Sequence, residues 1–161
     1  MHDSATRKTH LVLVNGVVFK GNKILVCQRS WQELHQPGKW TIPGGKVERT
    51  AGGMFNILEK NLKREIREET GVEIKEKIQL VTDNSFIHST GHHAVVLIFK
   101  CWYKSGHLTD SEETIDCKWV SFEEARKMRF APNVKKYILE AFKKCIEDKA
   151  HLRSIHHPVD N

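Results

Sequence analysis

Between stretches of strand-like sequence the chain switches to a clear four-residue period. Over 54–70, Leu58, Leu62 and Ile66 recur every four residues, and Gly71 supplies a stop. A helix is predicted there, with one apolar stripe. Its end, "KREIREETGV" (63–72), crowds Glu65, Glu68 and Glu69 into five positions. Residues at i, i+3 and i+4 share a helix face, so these three carboxylates project near one another. They also sit in the last turn, where the helix dipole is negative. Stability alone gives no reason for three acids at that place. One reading is a solvated charged face neutralised by Arg64 and Arg67. The other is a hard divalent cation such as Mg²⁺, which takes oxygen ligands and keeps several waters.

The flanking segments set the fold class. "THLVLVNGVVFKGNKILVCQRS" (9–30) reads as two strands around Gly21-Asn22. "QPGKWTIPGGKVE" (36–48) is broken by two prolines and three glycines into loop with short extended pieces. After the helix, 72–88 reads as one or two strands, 92–104 as a central strand and 114–122 as another. Ser121 and Glu124 form a capping box for a short helix. An amphipathic helix is predicted over 131–149, with Val134, Tyr137, Ile138, Ala141, Phe142 and Cys145 on one side. The expected organisation is one domain over 9–149, a flexible stretch at 1–8 and a frayed tail at 150–161.

Composition excludes several classes. The 161 residues are 39% hydrophobic, enough for a core and too much for a disordered chain. No apolar run reaches the length of a membrane span, and no apolar signal segment stands at the N-terminus, so a cytoplasmic protein without membrane contact is expected. Cys27, Cys101, Cys117 and Cys145 form no C-x-x-C pair, which argues against zinc and fits reduced thiols. The net charge of +6 favours polyanionic partners. Its basic residues are spread along the chain, so nucleic acid is not the expected partner.

"PGGKVE" (43–48) followed by "REIREETGV" (64–72) resembles the Nudix box, the signature of Nudix hydrolases. Arg64, Glu65, Ile66, Glu68, Glu69, Gly71 and Val72 match its second half, and "WTIPGGKVE" resembles the usual lead-in. The resemblance implies an α/β fold, a Nudix-type α/β/α sandwich with a mixed central sheet and the loop-helix of the box. It implies Mg²⁺-dependent hydrolysis, with Mn²⁺ able to substitute, of a nucleoside diphosphate linked to a group X. Family markers for ADP-ribose, diadenosine polyphosphate and coenzyme A substrates are missing. The default is then a MutT-like nucleoside triphosphate pyrophosphatase releasing a monophosphate and pyrophosphate. Nucleotide sugars, dinucleotides and RNA 5′ ends are alternatives, as is a sensor or binding module of the same fold. The sequence leaves a homodimer open.

The box departs from the pattern between its halves. The stretch 49–61 is about five residues longer than the strict spacing. Asn56 falls where a glutamate usually pairs with the box arginine, here Arg64. The extra residues, about 49–53, read as a lengthened loop.

The resemblance makes Glu65 and Glu69 the principal metal ligands. Glu68 is the third, and the carbonyl of Gly44 or Gly45 adds a backbone oxygen, since glycine lets a backbone approach closely. A general base is also wanted. "TDSEETIDCKWV" (109–120) offers Asp110, Glu112, Glu113 and Asp116. Glu113 is favoured, also as a metal ligand, with Glu112 close behind, against the reading of a solvated acidic loop. Arg29 suits a phosphate contact, with Lys46 and Arg67 weaker. Trp31 suits base stacking or core packing, Trp40 packing under the Pro-Gly-Gly turn, and Asn15 a base edge.

Overall fold

The computed structural model describes residues 9–109 and 111–155. The elements run β1 (Leu11–Lys20), β2 (Lys23–Arg29), β3 (Trp40–Thr41), β4 (Gly44–Lys46), α1 (Ile57–Thr70), β5 (Val72–Ile74), β6 (Gln79–Ile87), β7 (His93–Gly106), β8 (Thr114–Ser121), α2 (Phe122–Lys127) and α3 (Val134–Ile155). The two strands expected over 9–30 form β1 and β2 around a turn in which Gly21 takes φ +61°. That conformation is one that glycine adopts without steric penalty.

The eight strands form one mixed sheet with β3-β2-β1-β7-β5 as its path, while β4 joins β1, β6 joins β7 and β8 joins β2. β1 and β7 run parallel over Leu11–Phe19 and Ala94–Trp102. The other edge of β1 is divided, with Leu13, Val14 and Asn15 pairing β4 and Phe19 and Lys20 pairing β2.

Alternation along β1 sends its side chains into two cores. Val17 and Phe19 join Val134, Tyr137, Ile138 and Ala141 of α3 on one face. Val14 and Val18 join Leu62 and Ile66 of α1 on the other. Helices therefore cover both faces, the α/β/α sandwich expected from the sequence.

α2 carries both bonds of its capping box, Glu124 N–H to Ser121 Oγ at 3.2 Å and Ser121 N–H to Glu124 Oε2 at 2.6 Å. α3 continues past its expected end at 149 to Ile155. The expected flexible stretch 1–8 and the last six residues lie outside the described residues. No helix among the described residues is long and apolar enough to cross a membrane.

One expectation is corrected. Cys27 and Cys117 are not separate thiols: the β2–β8 register sets them opposite each other, and they are joined as a disulfide with Cα atoms 4.1 Å apart. Cys101 and Cys145 are free.

Candidate active site

α1 delivers its carboxylates to the turn at Pro43-Gly44-Gly45. Leu62 and Ile66 are fully buried against the sheet, which fixes the rotation of the helix and turns Glu65 and Glu69 toward β4. Gly44 N–H donates to Glu69 Oε2 at 3.3 Å. The Glu65 carboxylate lies on Gly45, where an added Cβ would stand 2.6 Å from its carboxyl carbon. The contact from Gly44 to the carboxylates is thus made through its N–H.

Arg64 gathers the outer acids. Its Nη2 lies 3.0 Å from Glu65 Oε1 and 3.2 Å from Glu48 Oε1, and its Nη1 lies 3.1 Å from Glu68 Oε2. Arg67 points away, 3.7 Å from Glu73. The expected Arg64–Asn56 contact is corrected. Asn56 is the N-cap of α1, two turns from Arg64, with φ +57° and no capping bond from its side chain. Asn61 takes the place next to the arginine. Its Oδ1 accepts from Arg64 Nη2 at 3.2 Å and from Glu48 N–H at 3.1 Å, and its Nδ2 donates to Ile57 O at 2.8 Å. Counting back from the arginine missed Asn61 because the longer loop ends before the helix begins. The signal was a polar residue in the buried stripe between Leu58 and Leu62.

Glu113 reaches the same place from the segment before β8. Ser30 N–H donates to its carbonyl at 3.1 Å, tying that segment to the end of β2. The three acids act on one another. Burial pushes the Glu69 carboxyl up to about 8, opposed by the Gly44 N–H and by Arg29 and reinforced by Glu113 and Glu65. Burial likewise raises Glu65, opposed by Arg64 and reinforced by Glu113, Glu68 and Glu48. Among the described residues no three acidic, histidine or cysteine side chains close into a metal cage. Arg64 and the Gly44 N–H hold the carboxylates instead. Glu112 and Glu113 are both exposed, Asp116 pairs with Gln28 in the β2–β8 ladder, and Asp110 lies outside the described residues.

Arg29, at the end of β2, donates from Nε to His35 O at 2.7 Å and from Nη2 to Glu33 Oε2 at 3.2 Å. Trp31 is 69% exposed with its ring laid over Gly38, so it is a surface aromatic rather than a core one. Trp40 packs against the core beside α3, with Lys118 Nζ 4.5 Å from its ring centroid. Asn15 spends one amide donor on Ile42 O at 3.2 Å, bracing the turn before Gly44. Lys46 is exposed on β4. Two residues not singled out from the sequence lie next to this group. His35 and His88 stack with centroids 5.6 Å apart and planes 26° apart. Nothing local in the sequence brings them together, since they come from different loops.

The family model for the NUDIX domain matches residues 9–142. No curated protein sequence matches the chain at a significant level. Solved structures do. The solution structure of the Escherichia coli ORF135 protein is 28% identical, with 94% of this chain and 96% of that one covered and a TM-score of 0.60. MutT protein from Methanosarcina mazei Go1 is 23% identical, covering 86% and 96%, with a TM-score of 0.68. The NUDIX domain of Shewanella oneidensis NrtR, solved with ADP ribose, is 22% identical, covering 89% and 94%, with a TM-score of 0.72. A box helix turned onto Gly44-Gly45, a sandwich fold shared with these structures and a family match over most of the chain agree: the chain belongs to the NUDIX family.

Proposed function

We propose that the protein is a pyrophosphohydrolase that uses a divalent cation to split the phosphoanhydride bond of a nucleoside diphosphate linked to X. The simplest substrate is a nucleoside triphosphate, giving the monophosphate and pyrophosphate. One observation carries the reading. Glu65 and Glu69 of the helix are half-buried carboxyls that also feel the charge of Glu113 from a distant segment, with Gly45 cleared of any side chain so that Glu65 can lie against it. Two half-buried carboxyls whose pKa burial raises, with the Glu113 carboxylate adding to the negative field, form a set of oxygens that a hard cation relieves.

Glu65 and Glu69 would hold the metal, joined by Glu113, by Glu68 once it leaves Arg64, and by a backbone oxygen of Gly44. A bound Mg²⁺ supplies charge neutralisation at phosphate oxygens and lowers the pKa of water. The chain does the rest. Arg29 offers its guanidinium to a phosphate oxygen beside Glu69. Arg64 keeps Glu65 and Glu68 oriented. Glu113 takes the proton of the attacking water as that oxygen bonds to phosphorus, and the anhydride P–O bond breaks toward the leaving phosphate. Trp31 offers an exposed ring for the base.

Solved neighbours support the substrate class: one holds ADP ribose and another is a UDP-X diphosphatase from a protein 20% identical to this chain. The test is a panel of nucleoside triphosphates, nucleotide sugars and dinucleotides in Mg²⁺, Mn²⁺ or EDTA. Turnover that survives EDTA overturns the metal reading, and no turnover with any member overturns the enzyme.

A further inference from the structure

Next to the carboxylates, at the same end of the sheet, stands a group of nitrogen donors of which only Arg29 has been given a role above. Register places them together. Thr114 pairs with Arg29, Lys46 pairs with Leu13, and His93 pairs with Ile87, so the ends of β2, β4 and β6 and the start of β7 share one edge of the cleft. The loop after β2 brings His35 onto His88, which follows β6. Both residues are half-buried. Lys46 is exposed and has no ion-pair partner among the described residues.

The tautomer of His88 follows from its neighbours. Thr90 N–H donates to Nδ1 at 3.3 Å, so Nδ1 accepts and the ring proton of the neutral form sits on Nε2. His88 N–H holds the turn by donating to His92 O at 2.8 Å, and Thr90 Oγ1 lies 3.0 Å from His88 Nδ1 and 2.9 Å from His92 Nδ1. The ring is therefore fixed with an N–H donor at its far end. The groups facing it are Lys46, His35, His92 and Arg29. Burial, with these neighbours adding to it, holds its pKa below the ordinary value.

We infer that His88, braced by His35 and flanked by Lys46 and Arg29, is a phosphate subsite for the phosphate farthest from the nucleoside in a triphosphate substrate. Arg29 touches both groups, since it lies in the field of Glu69 and is bonded to the backbone of His35. A triphosphate chain anchored at the carboxylates and passing Arg29 delivers its last phosphate to Lys46 and His88 Nε2. A nucleoside diphosphate linked to an uncharged X brings no anion there. The subsite thus selects triphosphates, and it holds the pyrophosphate half of the substrate.

The inference rests on the proposed pyrophosphohydrolase reading, and two measurements separate their failures. The first is histidine ring NMR of the full chain in EDTA, titrated with inorganic tripolyphosphate. The His88 Nε2 resonance is expected to move and its pKa to rise, because an anion favours the charged ring. The second is kinetics of His88→Leu, with His35→Ala as a second variant should the first misfold. The KM for a nucleoside triphosphate is expected to rise about tenfold relative to that for a nucleotide sugar, the scale of one charged hydrogen bond. A His88 ring unmoved by tripolyphosphate, or an unchanged KM ratio, overturns the subsite whether or not the enzyme turns over. A ring that responds in a protein without turnover keeps the subsite and removes the activity.

Discussion

A Cβ on Gly45 would stand 2.6 Å from the carboxyl carbon of Glu65 and 2.7 Å from its Oε2. The collision is with the far end of a flexible side chain. Gly45→Ala is therefore expected to keep the fold, swinging Glu65 aside, while turnover falls by about a hundredfold or more, as for loss of a metal ligand. Gly44→Ala meets the backbone of its neighbour strand instead: Val14 O lies 2.1 Å from the added Cβ, at φ +156°. That variant is expected to lose fold stability by ~2–4 kcal/mol. Paired melts and turnover check both, and a Gly45→Ala enzyme with normal kcat would detach Glu65 from the chemistry.

The raised pKa of Glu69 makes metal-free stability depend on pH. Its folded value of about 8 lies above the ordinary carboxylate value of 4.5. The contribution is fully present below the unfolded value and is lost as pH rises through about 8. Without metal, the protein is expected to melt lower at about pH 9 than at about pH 6, and Glu69→Gln is expected to flatten that trend. Mg²⁺ binds the ionised carboxylates, so its stabilisation of the wild type should grow with pH and shrink in the variant. A melting curve series with and without Mg²⁺ decides it. A wild type indifferent to pH in EDTA would mean that Glu69 is not desolvated.

Glu113 adds to the raised pKa of both Glu65 and Glu69. Glu113→Gln is expected to move the inflection of that metal-free stability curve to lower pH. Glu112→Gln, at a neighbour that does not act on Glu65 or Glu69, is expected to leave it in place. Equal shifts from both variants would assign the effect to general charge rather than to the position of Glu113.

Asn61 is buried and satisfies three partners, whereas Asn56 uses its side chain for no cap. Asn61→Ala is expected to cost about 1–3 kcal/mol, by leaving the Glu48 N–H and Arg64 short of an acceptor. Asn56→Gly should be near neutral, because its φ of +57° suits glycine. Chemical denaturation of the two variants checks the contrast. A larger loss at Asn56 would restore the pairing first expected from the sequence.

Local spacing made much of this molecule legible. A four-residue period marks α1 whatever surrounds it, and the hairpin of β1 and β2 follows from apolar arms around Gly21-Asn22. Glu65 and Glu69 could be placed on one face because helix geometry is fixed by sequence distance. What stayed hidden depends on tertiary register. Cys27 meets Cys117 only through the pairing of β2 with β8. His35 meets His88 only because two loops end at one edge of the sheet. Asn61 was missed because family spacing led back from Arg64 to Asn56, just ahead of the helix start at Ile57, while the arginine finds its asparagine one turn away inside the helix. The exposure of Trp31 was likewise unreadable, since a Trp after a strand looks the same in either environment.

The segment between β4 and α1 is held at its start: Val47 N–H donates to Val12 O at 2.8 Å, and Glu48 N–H reaches across to Asn61 of α1. Beyond those two bonds the chain at Gly52 and Gly53 has open space around it. Loop length is thereby uncoupled from the carboxylates, because closing a longer loop adds only a slowly growing entropy term while the clamps stay where they are. This gives the fold an evolutionary free parameter. Descendants can gain or shed residues at the rim, and so reshape what enters the cleft, without touching the catalytic frame beneath.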